Sequence, residues 1–481
     1  MKLYKIYITA VLLLTLGACK KDLAIQPEQS LSEEIVFTNK AGAQAALFGV
    51  YSSAQTLDVF GGLPLIIGDY QADNVEFVGS FPTLQEIFQF NTLSVNTSIG
   101  PIWQSHYRVI LRANTIIERV PGITEIGFTD AQKKAMVAEA KFMRALTYFQ
   151  LVNLFAQPYN CSMGSNLGVP IVLAEFDANK ITFPPRSTVN EVHIQIKKDL
   201  DESIPDLPAT YASSTDTRGR ATKGSSRALL SRLHLYRGEW AEAASRANEI
   251  ITATPTYVLA ANYAFYDANS AEDVFSIQMT TTDNSRTGAG GLGGYHRPGT
   301  SGGRGDAPFS TNLIQAYLQE AGDRRLAISD SGVGADQIRR RFSLKYFDAR
   351  TNADNTPVIR VTEMYLNRAE ALAERDGINQ ESIDLVNPLR VRAGLMPWTL
   401  VTFATKQALI AGILNERRKE LAFEGHRRMD LLRKGLALRS TGPTATISKP
   451  CDALSPKVIL PIPQREIDIN PGLRGQQNPG Y

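Results

Sequence analysis

Cysteine is scarce, with three residues in a chain of 481, which excludes a disulfide-built scaffold. Histidine is scarce too: His106, His193, His234, His296 and His426 are scattered, with no H-E-x-x-H and no i,i+4 pair. Zinc chemistry therefore has no ligand set, and neither a metal nor a cofactor is expected. Charge of one sign is also missing. Lysine plus arginine number 51 against 48 aspartate plus glutamate, a formal net of +3. Gripping a phosphate backbone needs a concentrated cationic surface, so a nucleic-acid partner is excluded. What the chain does have is a globular composition, 43% hydrophobic and 21% charged. Its length suits about three domains or one repeat-built body.

The amino terminus, MKLYKIYITAVLLLTLGAC, sets an address. Lys2 and Lys5 precede an apolar run from Ile6 to Leu16. That run is shorter than the ~20 residues of a membrane-spanning helix and suits a secretory signal. Leu16-Gly17-Ala18-Cys19 looks like a bacterial lipobox, with small residues at the cleavage site and a thiol to carry lipid. The expectation is a signal peptide over 1–18, lipidation at Cys19 and a polar tether over 19–32. Two or more acyl chains suffice for stable membrane attachment. Loss of Lys2 and Lys5 takes 51 basic side chains to 49 against 48 acidic, a near-neutral mature chain that fits a surface for neutral ligands and a protein partner.

Helical periodicity dominates the rest. Helices are expected over 39–57, 101–120, 129–155 and 189–204, the last stopped by Pro205. From Ser225 to Pro255, Leu230, His234 and Gly238 precede Trp240, Ala243, Ala247 and Ile250. This resembles a tetratricopeptide pair, in which small residues let two helices cross closely. A second pair is expected from Val358 to Gly394, with a turn at Gly377 and a kink or early stop at Pro388. Residues 58–100 and the glycine-rich 280–308 read as long irregular loops. The stretch 458–481 reads as an extended strap over the body.

Two motifs inside the glycine-rich stretch fail on context. Gly288-Ala289-Gly290-Gly291-Leu292-Gly293 matches a dinucleotide fingerprint, but no strand leads in and the following residues do not suit a helix. Gly299-Thr300-Ser301-Gly302-Gly303 matches a nucleophile elbow without its strand. Asp69, Asp73 and Glu76 are the best-placed acids for hydrolytic chemistry, with plain hydrogen bonding the simpler reading. Cys161 and Cys451 are either partners in a disulfide or, the favoured reading, free thiols.

Leu414 to Lys434 carries Glu416, Glu420 and Glu424 at i,i+4, interleaved with Arg417 and Arg418 and continued by Arg427 and Asp430. That spacing supports helix-side ion pairs, and a structural ion-pair network bridging two helices is expected rather than a catalytic role. Asn415-Glu416-Arg417-Arg418-Lys419-Glu420-Leu421, Phe423-Glu424-Gly425-His426-Arg427 and Asp430-Leu431 together resemble the C-terminal signature of SusD/RagB-type outer-membrane lipoproteins. Arg144-Ala145, Tyr148-Phe149, Tyr365, Ala369-Glu370-Ala371, Arg392-Ala393-Gly394, Leu460-Pro461-Ile462-Pro463 and Asn478-Pro479-Gly480-Tyr481 extend the resemblance along the mature chain. Pro388 and Met429 depart from the usual pattern.

The resemblance implies a mainly α fold. Tetratricopeptide-like helix pairs would form an α-α superhelical body, with irregular loops carrying the ligand surface, in regions 33–257 and 258–481. It also implies a lipoprotein on the outer face of the Bacteroidetes outer membrane. Such a protein binds oligosaccharides without cleaving them and acts as a lid for a SusC-type TonB-dependent transporter. Peptide capture, a surface glycoside hydrolase and a protein scaffold are the alternatives. Sugar binding needs aromatic platforms beside polar groups. Tyr70, Asp73, Asn74, Phe77 and Phe81 in one loop, and Tyr295, His296 and Arg297 in another, offer that mixture.

Overall fold

The computed structural model describes residues 36–267, 269–285, 290–439, 448–452 and 455–481. The signal peptide, Cys19 and the tether lie outside the described residues, as do Gly288 and Ala289 of the glycine motif.

Local sequence sets each helix start. Asn39 caps α1 (Lys40–Ala54) by accepting from the Gly42 N–H. Two short helices follow, α2 (Leu63–Tyr70) and α3 (Pro82–Phe88). Helix α4 (Ile99–Arg119) carries Pro101 in its first turn, where the missing N–H has no partner to lose. Capping boxes at Thr129/Gln132 and Thr188/Glu191 open α5 (Asp130–Phe155) and α6 (Val189–Ser203), each satisfying two otherwise orphaned donors. After the single turn α7 (Ser214–Gly219) comes the pair α8 (Lys223–Arg237) and α9 (Trp240–Ile251). Gly238 joins them at φ +74°, a left-handed stop that glycine adopts without a Cβ penalty. Ala243 and Ala247 are buried where α9 crosses.

The C-terminal half contains α10 (Leu292–His296), α11 (Thr311–Leu318), α12 (Val361–Asp376), α13 (Gln380–Arg392), α14 (Lys406–Leu421), α15 (Arg427–Arg433) and α16 (Gln464–Ile469). Strand β1 (Asp273–Ile277) pairs antiparallel with β4 (Thr356–Arg360), and β2 (Ser329–Val333) with β3 (Arg339–Ser343). The long helices stack in series: α1 on α4, α4 on α5, α5 on α6, α6 on α8, α8 on α9, α9 on α12, and α12 on α13 and α14. One apolar cluster runs from Ala43 to Leu473, and a smaller one fills the space between α12, α13 and α14. This is a mainly α body of tetratricopeptide-like pairs. Among the described residues no helix is long and apolar enough to cross a membrane.

Four expectations need correction. Residues 58–100 are not wholly irregular, because the apolar run Leu63–Tyr70 coils into α2 and is buried on every side. The glycine-rich stretch does open a helix, α10. Helix α13 continues past Pro388 to Arg392 rather than ending there. Pro388 and Asp384 both face solvent, so water satisfies the Asp384 carbonyl that the proline leaves unbonded, while Val386 and Leu389 stay buried. The C-terminal strap is likewise interrupted by α16.

Cys161 and Cys451 form a disulfide, with Cα atoms 5.1 Å apart, rather than standing as free thiols. The C-terminal strap brings them together: the Leu460 N–H donates to the Leu154 carbonyl at the end of α5. The bond closes a 290-residue separation. Replacing both cysteines with serine should lower stability by about 2–4 kcal/mol, chiefly by freeing the unfolded chain. The urea midpoint of the oxidised protein checks this.

Candidate functional site

The stretch from α14 to α15 is acidic and basic by turns, yet nearly all of it is buried. A buried charge is tolerated only when paired, and here the partners come from far along the chain. Glu416 Oε2 accepts from Arg325 at 2.8 Å and its Oε1 from Arg390 at 2.8 Å. Glu420 accepts from Arg392 at 2.8 Å. Glu424 accepts from Arg360 at 2.8 Å, Lys345 at 2.6 Å and the Tyr266 hydroxyl at 2.9 Å. Arg417 holds Asp430 at 2.8 Å, and Arg433 joins Asp430 to Glu370. Beside the helix-side pair of Lys419 with Glu416 at 2.9 Å, long-range pairs tie α14 to β4, α13 and α15.

The same stretch anchors the loop after α2. Arg427 grips Asp73 through two bonds of 2.7 and 2.8 Å. Arg418 donates to the Asn74 side chain and the Asp73 carbonyl, and Asn74 donates to Asp69. Backbones meet where Gly68 faces Gly425: a Cβ on Gly68 would lie 2.5 Å from the Gly425 carbonyl oxygen, so neither position has room for a side chain.

On this base four segments meet at one solvent-facing surface. The Val78 N–H donates to the Asp306 carbonyl, Phe309 to Arg341, Ala335 to Gly305, and Gly305 to Arg297. Residues 73–81, 294–309, the β2–β3 hairpin and the turn at 347–351 are thereby held together, with Gly302 against the Arg350 side chain. Two exposed rings stand out. Phe81 is 52% exposed and Phe347 65%. The Arg304 guanidinium lies 4.9 Å from the Phe81 ring centre and 5.0 Å from that of Tyr295, and donates to Asp306 at 2.6 Å. The Arg297 guanidinium lies 5.4 Å from the Phe347 ring centre, with Asp330 at 3.5 Å. A cavity of about 220 Å³ is walled by Tyr266, Asp273, Lys345 and Asn355.

Of the eight residues that sequence pointed to, only Phe81 is exposed. Tyr70, Asn74, Phe77, Tyr295, His296 and Arg297 are buried and Asp73 is half-buried. Tyr70 packs on Phe77, and His296 on Tyr346 and Phe423, so these side chains shape the floor rather than the outer surface. Phe347, Arg304 and Asp330 escaped the sequence reading. Arg304 lies within the flagged glycine-rich stretch, but nothing in its spacing marks it.

The SusD family model matches residues 339–481, which include the whole ion-paired stretch. A SusD-like model described as "Starch-binding associating with outer membrane" matches residues 67–235. Together the two matches mark the chain as SusD-like. It is similar to SusD-like protein P2 of Formosa agariphila, at 28% identity over 100% of both chains. It is also similar to starch-binding protein SusD of Bacteroides thetaiotaomicron, at 24% identity over 74% of each. A SusD superfamily structure from B. thetaiotaomicron superposes with a TM-score of 0.80 at 25% identity, over 91% of this chain and 99% of that one. A laminarin-binding SusD-like protein shares the fold, with a TM-score of 0.73 at 23% identity over 92% and 100%.

The SusD signature carries a pH signature as well. Burial would raise the Glu363 carboxyl, but Arg232 bonded to it pulls it from 4.5 down to about 2. Burial likewise opposes, and Arg360 and Lys345 overcome, for Glu424, which is held far below the carboxylate range. Groups depressed in the folded state contribute stability above their unfolded values and lose it as pH falls. Asp69 and Asp273 act the other way: burial raises each from 3.8 to about 6, so protonating them below pH 6 relieves a cost. Burial also lowers the imidazoles of His106 and His426 from 6.5 to about 4, and those of His193 and His296 to about 3. The unfolded chain takes up protons there that the folded one refuses, and these four outweigh the two carboxyls. The melting temperature should therefore fall as pH drops below about 6.5, and more steeply between about pH 4.5 and pH 2. Calorimetric scans across that range check both limbs.

Proposed function

We propose that this SusD-like protein is a lipid-anchored outer-membrane protein that captures oligosaccharides and delivers them, as a lid, to a SusC-type TonB-dependent transporter. The observation that carries the reading is the pair of solvent-exposed rings, Phe81 and Phe347, each beside a guanidinium and a carboxylate. Sugar rings present apolar C–H faces and polar edges, and such a pairing suits both at once. The face rests on a body whose buried ion pairs fix its loops, so little ordering cost accompanies binding. Two relatives in the fold are named for starch and laminarin binding, and one matching family model is named for starch and the outer membrane. The lipobox-like sequence ending at Cys19 supplies the anchor in this account.

Binding without cleavage is part of the proposal. Glycoside hydrolysis needs a carboxyl poised to donate a proton. Asp306, Asp330 and Asp73 are each engaged by an arginine, and Arg427 with Arg418 holds Asp73 below its ordinary value against the opposing effect of burial. A glycan array and a peptide-library pull-down, run side by side on the purified protein, test the reading. Capture of oligosaccharides without release of reducing ends is expected. Capture of peptides alone, or release of reducing ends, contradicts it.

A further inference from the structure

The near-neutral mature charge suggests a surface for uncharged ligands, but charge around Phe347 is not neutral. Arg297 is buried beneath that ring; among the described residues its carboxylate contact is Asp330 at 3.5 Å, and its Nε and Nη1 have no hydrogen-bond partner. A buried guanidinium with two idle donors is costly unless something else completes it. Beside it Arg350 is exposed, its side chain lying against Gly302, and no carboxylate pairs with it among the described residues. On the adjoining hairpin Arg339 and Arg341 are exposed, and among the described residues their side chains donate to the hydroxyls of Ser331 and Ser329. The nearby acids do not offset this. The Asp348 side chain accepts from the backbone N–H groups of Arg350, Thr351 and Ala353, and Asp354 from that of Asp348. Elsewhere buried arginines are matched by carboxylates, as Arg360, Arg390, Arg392 and Arg433 are, or bonded to carbonyls and amides, as Arg186, Arg218 and Arg428 are. The guanidinium groups around Phe347 stand out against that habit.

We infer that the Phe347 side of the face takes an acidic glycan. The sugar ring lies on Phe347, and its carboxylate or sulfate ester is held by Arg297 and Arg350, with Arg339 and Arg341 attracting the polyanion. Planar guanidinium forks match carboxylate and sulfate oxygens two at a time. The inference rests on the glycan-capture reading and adds the charge of the ligand to it.

The test uses three probe sets on the mature full chain: unsulfated laminarin oligosaccharides, sulfated laminarin oligosaccharides, and oligogalacturonates. One acidic set is expected to bind at least about tenfold more tightly than the neutral set, and to weaken as salt is raised from low to physiological strength and beyond. The sulfated and uronate arms identify which anion the site reads. Arg350→Gln, at an exposed position, should remove most of that preference with the melting temperature unchanged, whereas Arg474→Gln, exposed near the C-terminus, should leave it intact. Neutral oligosaccharides binding as tightly as both acidic sets overturns the charge assignment and leaves glycan capture standing. Binding to none of the three, with peptides captured instead, overturns both.

Discussion

Glu424→Ala should destabilise the protein by about 3–5 kcal/mol, because it strips the counter-charge from two buried cations at once. Arg360 would keep Glu272 at 2.6 Å, but Lys345 would lose its carboxylate partner and retain only the Glu420 carbonyl. Burial already lowers the Lys345 ammonium from its usual value, with Glu424 opposing that drift. An unpaired ammonium there either deprotonates or draws water inward, and both loosen the seam between β4 and α14. Removing both partners is a different matter. Glu424→Ala with Lys345→Met should recover part of the loss, since an apolar pair in place of an ion pair is often tolerated. The exposed Arg375–Asp376 pair provides the contrast, and Arg375→Ala should leave the urea midpoint unchanged. A Glu424→Ala loss below about 1 kcal/mol would mean that the buried ion pairs do not hold the loops.

Phe81→Ala combined with Phe347→Ala should weaken oligosaccharide binding about 30- to 150-fold, since each stacked ring is worth on the order of 1–1.5 kcal/mol. The fold should not notice, because both rings project into solvent and surface substitutions usually shift stability by less than about 0.5 kcal/mol. The two effects therefore separate: affinity falls and the melting temperature stays. Phe176 serves as the control. It is 64% exposed on the segment whose Val172 and Ala174 carbonyls accept from Asn114 of α4, and Phe176→Ala should leave affinity intact. Calorimetric titration of the three proteins with one oligosaccharide chosen on the array distinguishes these outcomes.

The helical body was legible in the sequence because its signals are local and periodic. Thr129 and Thr188 announce capping boxes, Gly238 and Gly377 announce turns, and apolar residues three or four apart mark the buried faces. The ligand face has no such grammar. Tyr70 and Asn74 sit in what composition reads as an open loop, yet the run Leu63–Tyr70 is apolar enough to be drawn inside as a helix, carrying Tyr70 with it. His296 and Arg297 follow the same course in α10 and just beyond. Phe347 lies in a turn with no period, and only tertiary contact with Arg297 gives it meaning. The acidic and basic signature was visible as charge, and its spacing suggested helix-side pairs within a network bridging two helices. The true partners, Arg325, Arg360, Arg390 and Arg392, come from other elements, and no spacing rule joins them to Glu416, Glu420 and Glu424. Cys161 and Cys451 were unreadable for the same reason, since only the path of the C-terminal strap brings them together.

The central claim is that one face, built from residues 73–81, 294–309 and 329–351, receives the oligosaccharide while the helix stack beneath stays fixed. Hydrogen–deuterium exchange with and without the oligosaccharide selected on the array addresses it directly. Slowed exchange confined to those three segments, with α8, α9, α13 and α14 unchanged, is the predicted result. Protection centred on the outer faces of those helices, with the three segments exchanging as before, would contradict it.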